Sequence, residues 1–326
     1  MKISCKKYII ILLFLILMPL LALGVYVYKN DPYWLFKTSP GWKVRHNGHN
    51  RVLDIRMRFV KSLQVVFRQP EIVVIGSSRI YRGIQTSSYP HDGFYNLGIS
   101  NMRIREAYAF VVHAVRWTPI SEIILGLDYF MFDTNKKWES GFDPSISGAS
   151  YLLTAAPTSL ITKMAYDDVK LSLSGVHKGD GYWTRSGFKI TNPRTAKDSA
   201  RILKSFYNSE KIITIKEFEV YENILEFAKR QNVRLSVFIS PMNQKLLKRM
   251  MKKKRYTNFN QWKNTIRSIS LKHTVKLYDF SETNPFFNDS IMNGSTKYWI
   301  DASHYSPYVG DWILTEIGIL EPKVIR

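Results

Sequence analysis

The run Glu71-Ile72-Val73-Val74-Ile75, closed by Gly76, constrains this chain more than any other stretch. It is continuous and β-branched rather than alternating, which suits a strand buried on both faces, and a glycine directly after it permits a tight turn. Shorter runs of the same kind predict strands over 123–126, 233–240 and 275–279, with Phe94-Tyr95 strand-like as well. Helical spacing over 101–117, 215–231 and 259–272 separates them. Alternation of this kind predicts an α/β three-layer sandwich with a central parallel sheet and helices on both faces.

The ends of that domain are set by different signals. Residues 8–28 are almost wholly apolar and uncharged, about the ~20 residues a helix needs to cross a bilayer. Lys2, Lys6 and Lys7 precede them, so the positive-inside rule keeps residues 1–7 cytoplasmic and sends the rest across. Ala22-Leu23-Gly24 has the shape of a signal-peptidase site, but the apolar run continues through Tyr28, which favours an anchor over cleavage. Residues 29–68 read as a polar linker followed by a covering helix over 52–67. Residues 69–326 form the α/β domain, interrupted at about 133–210 by an insertion rich in Ser, Thr, Gly and aromatics. Trp138, Tyr182 and Trp183 within it suit either stacking on sugar rings or packing the insertion onto the core.

The 47 Lys and Arg against 26 Asp and Glu give a formal charge of +21. An exported basic domain meets anionic lipid and anionic surface polymers, not nucleic acid. The densest cluster, 245–255, places leucines and methionines at helical spacing and reads as an amphipathic helix with a basic face open to a polyanion or a membrane. The single cysteine, Cys5, precedes the apolar segment and allows no disulfide within the chain. His46 and His49 form a His-x-x-His pair with no further ligands in view, and His113 reads as a core or boundary residue of the second helix. No metal or cofactor is expected.

The chemistry-bearing residues sit at the two ends of the domain. Ser77 and Ser78 follow Gly76 at a strand exit, and Asp301 and His304 form an Asp-x-x-His pair before a helix-like stretch at 310–314. A serine hydroxyl is a poor nucleophile at neutral pH. It needs an imidazole to take its proton and a carboxylate to fix the imidazole tautomer. Ser78, His304 and Asp301 fit those roles, with His91 and His177 as alternative bases. The ordinary alternative is that the serines cap the element after the strand and that Asp301 and His304 are loop residues.

Four blocks together resemble the SGNH or GDSL-like hydrolase superfamily: Gly76-Ser77-Ser78, Asn96-Leu97-Gly98, Gly126-Leu127-Asp128 and Asp301-Ala302-Ser303-His304. The Gly-Ser-Ser version looks like the extracytoplasmic branch that acylates surface polymers, such as the teichoic acid D-alanylation and alginate O-acetylation proteins. The resemblance implies an SGNH/flavodoxin-like sheet, Ser78 as nucleophile, and an oxyanion hole made by the backbone N–H groups of Ser78 and Gly98. The third block departs from the family, which has an asparagine donor where this chain has Asp128. An ionised aspartate accepts hydrogen bonds and donates none. Either Asp128 has another role, Asn96 or Asn101 supplies the donor, or the hole lacks one. Ser77, Arg79 and Asp128 are the expected walls of the site.

Two functional expectations follow. One is a membrane-anchored extracytoplasmic acyltransferase or esterase on a surface or secreted polysaccharide, with a multi-spanning membrane acyltransferase as its donor partner by resemblance. The other is a non-catalytic SGNH-like protein that binds polysaccharide or scaffolds an envelope assembly. A plain lipase or thioesterase is a third.

Overall fold

A computed structural model describes residues 5–36, 52, 55–85, 93–135, 161–174, 200–201, 211–251, 255–289 and 296–321. The expectations placed on His46, His49, His91, His177, Trp138, Tyr182 and Trp183 lie outside the described residues. In chain order the elements begin α1 (Cys5–Asn30), α2 (Met57–Arg68), β1 (Ile72–Gly76), α3 (Ser78–Gly83), β2 (Phe94–Gly98), α4 (Ile104–Trp117) and β3 (Glu122–Leu127). They continue α5 (Lys163–Ser174), α6 (Ile215–Arg230), β4 (Arg234–Ile239), α7 (Gln244–Met251), α8 (Arg255–Lys272), β5 (Leu277–Asp279) and α9 (Pro307–Glu316). The chain divides into two compact units, residues 1–67 with 141–180 and residues 68–140 with 181–326.

In the larger unit the five strands are all parallel and ordered β2-β1-β3-β4-β5. β1 and β3 are buried along their whole length, as a strand covered on both faces must be. Ile72, Val74, Ile124 and Phe238 share one core with Ile80 and Ile84 of α3 and Val309, Ile313 and Leu314 of α9. α4 and α6 pack on each other and reach β1 and β4. Right-handed crossovers put them on the opposite face, giving the three layers expected. Fully burying each such aliphatic side chain contributes about 1.5–3 kcal/mol, so the sheet is the main source of stability. Glu122 begins β3 as a buried charge, answered by Arg234 at 2.5 Å and Ser236 at 3.2 Å.

The topology fixes where chemistry can occur. β1 has β2 on one side and β3 on the other, so the chain changes direction there and leaves a crevice at the strand ends. Gly98, Gly76 and Gly126 lie at that edge on β2, β1 and β3, and a β-carbon on any of them would collide with Ile80 or with the Tyr81 amide. The three glycines form a shelf on which α3 rests. That close approach brings Ser78 to the end of the sheet.

Several boundaries differ from the sequence expectation. α4 starts at Ile104 rather than 101 because Asn101 takes a left-handed backbone (φ 59) and the Glu106 carboxylate accepts from the Arg103 amide at 2.9 Å. Of the stretch 245–255, residues 245–251 lie in α7 and Arg255 begins α8, with 252–254 outside the described residues. α7 buries Leu246, Leu247 and Met250 and exposes Lys245, Lys248 and Arg249, as its spacing predicts. In the smaller unit, α1 is long and apolar enough to cross a membrane, and its central apolar residues are exposed.

Candidate active site

The loop 299–306 preorganises its own acid–base pair. Trp299 bridges Tyr305, and the Ile300 amide donates to the His304 carbonyl at 2.8 Å, closing a tight turn. Inside it, Asp301 Oδ1 accepts the amides of Ser303 and His304 at 2.8 and 2.9 Å, the local bonding that makes Asp a turn residue. The same carboxylate lies 2.9 and 2.7 Å from His304 Nδ1 through its two oxygens. That assigns the ring proton to Nδ1 and leaves Nε2 as an acceptor.

Ser78 meets that acceptor. It is the first residue of α3, and its Oγ is 2.8 Å from His304 Nε2. The structure thus brings Ser78, His304 and Asp301 into one hydrogen-bonded chain. Burial would raise the Asp301 carboxyl, but the charge and hydrogen bond of His304, the Ser303 amide and Arg82 hold it well below the usual carboxylate range. Burial pushes the His304 imidazole below its ordinary value, with Asp301 opposing and Arg82 and Arg79 assisting. An ionised carboxylate beside a neutral imidazole is the state a general base needs.

Behind the serine, the third block has a different use from the one the family pattern implies. Asp128 is 1% exposed and accepts from Ser77 Oγ at 2.5 Å and from Arg79 Nη1 at 2.7 Å. Ser77 Oγ in turn accepts the Arg79 amide at 3.1 Å, so Ser77 is the cap of α3, the ordinary role of a serine there. Arg79 Nη2 reaches Ser303 Oγ at 3.3 Å, one residue before His304. Asp128, Arg79 and Ser303 therefore clamp the nucleophile turn to the histidine loop. Ser77, Arg79 and Asp128 are all buried and back the serine, rather than forming an open wall. The cavity lined by Asp128, Arg79, Phe130, Lys211, Ser240 and Met242 has neither Ser78 nor His304 in its wall.

The expected oxyanion donors Asn96 and Gly98 have partners within the fold. The Asn96 amide donates to the Ile80 and Ile84 carbonyls at 2.9 and 2.7 Å, tying α3 to β2. Its side-chain oxygen accepts the Gly98 amide at 2.8 Å. Asn101 lies in the turn after β2 and is half-buried. The Ser78 amide is the first of a helix and has no intrahelical acceptor, which leaves it free to serve an oxyanion.

Sequence reasoning missed Arg82. Its Nη1 lies 3.5 Å from Asp301 Oδ2 and 3.4 Å from His304 Nδ1. Since Nδ1 carries the proton, the second approach is a charge contact and not a hydrogen bond. Arg82 stands four residues after Ser78 on α3, and that helical spacing was the available signal. Among the described residues, Glu222, Glu226 and His273 bring ligand atoms close enough to suggest a cation, but Lys272 already holds Glu222 at 2.6 Å.

No protein-family profile matches the chain, and no curated protein matches it. Among solved structures it is similar to a Bacteroides fragilis protein, a 2.00 Å crystal structure provisionally described as an acylhydrolase. The TM-score is 0.39 and the identity 9%, over 78% of this chain and 93% of that one. A likeness so loose carries no argument about the site, whose reading rests on its geometry.

Proposed function

We propose that the protein is a membrane-anchored serine acyltransferase or esterase whose larger unit works outside the cytoplasm on a surface or secreted polysaccharide. The observation that carries this reading is the 2.8 Å contact of Ser78 Oγ with a histidine whose other nitrogen is held by a buried carboxylate. In the reaction, Ser78 Oγ attacks an ester carbonyl and its proton passes to His304 Nε2. The intermediate collapses to an acyl-serine, and the leaving alcohol takes the proton back. A sugar hydroxyl or water then gives its proton to His304, attacks the acyl-serine and regenerates Ser78.

The Ser78 amide is the donor assigned to the developing oxyanion. Losing one donor of such a hole costs about a hundred- to a thousandfold in rate, so turnover with water is expected to be slow. The formal charge of +21 favours an anionic polymer, and α1 supplies the anchor, with residues 1–7 on the cytoplasmic side. A multi-spanning acyltransferase is the proposed source of the acyl group. The test incubates the full chain in bilayers with an O-acetylated polysaccharide, with and without an unmodified acceptor. Acetate release or acetyl transfer that disappears in Ser78→Ala supports the reading; neither product from folded protein removes it.

One observation favours a second reading. The Gly98 amide, which the family gives to an oxyanion, donates to Asn96, and Asp128, where the family has an asparagine donor, accepts from Ser77 and Arg79. A polysaccharide-binding or envelope-scaffold protein would retain the architecture without needing those donors. Polysaccharide binding that is equal in wild type and Ser78→Ala, without turnover, would favour it.

A further inference from the structure

We infer that α5 is a membrane-interface helix whose start, with half-exposed Ile161 just before it and Tyr166 on its outward face, dips into the outer leaflet beside α1 and contacts lipid at the boundary of headgroups and acyl chains. The inference rests on the part of the proposed function in which α1 crosses the bilayer, and is independent of the acyl chemistry.

Depth follows from α1 itself. Residues 8–28 rise about 31 Å at 1.5 Å per residue, the thickness of a bilayer core, which places Tyr28 near its outer edge. Gly24 then lies about 6 Å below that edge. Ile161 Cγ2 sits 3.6 Å from the position a β-carbon on Gly24 would occupy, so Ile161 is at the same depth. From there α5 climbs outward along α1. Ala165 and Val169 pack with Leu23 and Val27, and the Tyr166 ring lies 5.9 Å from that of Tyr26.

The rotation of α5 is fixed at its outer end. Asp168, 1% exposed, accepts from the Tyr33 hydroxyl and from Arg56 Nε, both at 2.8 Å, and Gln64 Nε2 donates to the Tyr33 carbonyl at 2.7 Å. With Asp168 turned inward to those partners, Tyr166, two residues earlier, falls on the opposite face of α5; Tyr166 is 39% exposed, and Ile161, just before the helix against α1, is 38% exposed. In water an exposed isoleucine beside an exposed apolar helix would be a liability; in lipid it is solvated. The charges agree with this placement. Lys163 reaches up the helix to Asp167 at 2.6 Å, as a lysine near a membrane surface does, and Lys170 Nζ lies 4.3 Å from the Tyr166 ring centroid. Tyrosines at this level are what interfacial anchoring uses.

The test uses Cys5, the only cysteine in the chain. In a Cys5→Ser background, Leu15→Cys, Ile161→Cys and Lys170→Cys are each labelled with an environment-sensitive fluorophore. The full chain is then reconstituted in phosphatidylethanolamine–phosphatidylglycerol vesicles containing lipids brominated midway along the acyl chain. The expected result is strong quenching at 15, which reports the anchor, and quenching at 161 at least about threefold that at 170, since interfacial helices bury their apolar face about 5–10 Å deep. Quenching at 15 with equal, weak quenching at 161 and 170 overturns the inference and leaves the anchor standing. Absence of quenching at 15 overturns both.

Discussion

The two sides of the serine are put to different uses. On the side of His304, a short loop makes the relay from neighbours in sequence: Asp301 holds the amides of Ser303 and His304 and the imidazole three residues on. On the side of Gly98 and Asp128, the groups bind the fold instead. Asn96 staples α3 to β2, and Asp128 neutralises Arg79 in the interior. The Asp301–His304 pair is local and set up to take a proton, whereas the groups on the other side are held by contacts of Asp128 and Asn96 with α3 and its cap that serve stability. One half of the proposed site can therefore be complete while the other is built for a different end.

The largest effect should come from breaking the relay. Asp301→Asn keeps the shape but favours the wrong imidazole tautomer, and kcat/KM on a small aryl ester should fall by about 10⁴, as in the serine-protease template. A loss under about tenfold would mean the relay does not drive the chemistry.

Next comes the clamp. Arg79→Met leaves Asp128 buried and unpaired, which should cost about 3–5 kcal/mol in denaturant unfolding. Arg79→Met with Asp128→Asn should cost clearly less than the single change, because the uncompensated charge is gone. If the double variant is the less stable, the pair is not the clamp described.

Asn96→Ala removes three hydrogen bonds that serve the fold and should lower stability by about 1–3 kcal/mol. A hundredfold loss of kcat/KM with unchanged melting would instead mark Asn96 as a catalytic donor and dissolve the contrast between the two sides.

The smallest effect is on pH. His304 must be neutral to act as base, and burial holds its pKa below the ordinary 6.5, so the acid limb of kcat/KM should lie below that value. Arg82→Gln removes a charge that helps keep it low, and the limb should move up; no movement would detach Arg82 from the site. Stability follows the same sign. The unfolded chain binds the His304 proton near 6.5 and the native one resists it, so this contribution is whole above 6.5 and is lost as pH falls toward the folded value. Asp301, also depressed, adds stability that is present above 3.8 and lost in stronger acid.

How much of this the sequence carries depends on the range of each contact. β1 and β3 are legible because burial on both faces demands unbroken apolar runs, and the relay is legible because Asp301 and His304 are three residues apart. The salt bridge of Asp128 with Arg79, 49 residues apart, is not, since nothing local tells a buried ion pair from a substrate-facing carboxylate. The Asn96 staple is hidden for the same reason: Asn-x-Gly is the same string whether the amide faces solvent or the α3 carbonyls. Arg82 falls between, on the right face of α3 but with no sequence sign of what lies opposite.

The most direct measurement is labelling of the full chain with a fluorophosphonate serine probe, in wild type, Ser78→Ala and His304→Ala. The account predicts that wild type labels and both variants do not, since only an imidazole-activated serine reacts readily. A folded wild type that stays unlabelled, or labelling that survives Ser78→Ala, would contradict it.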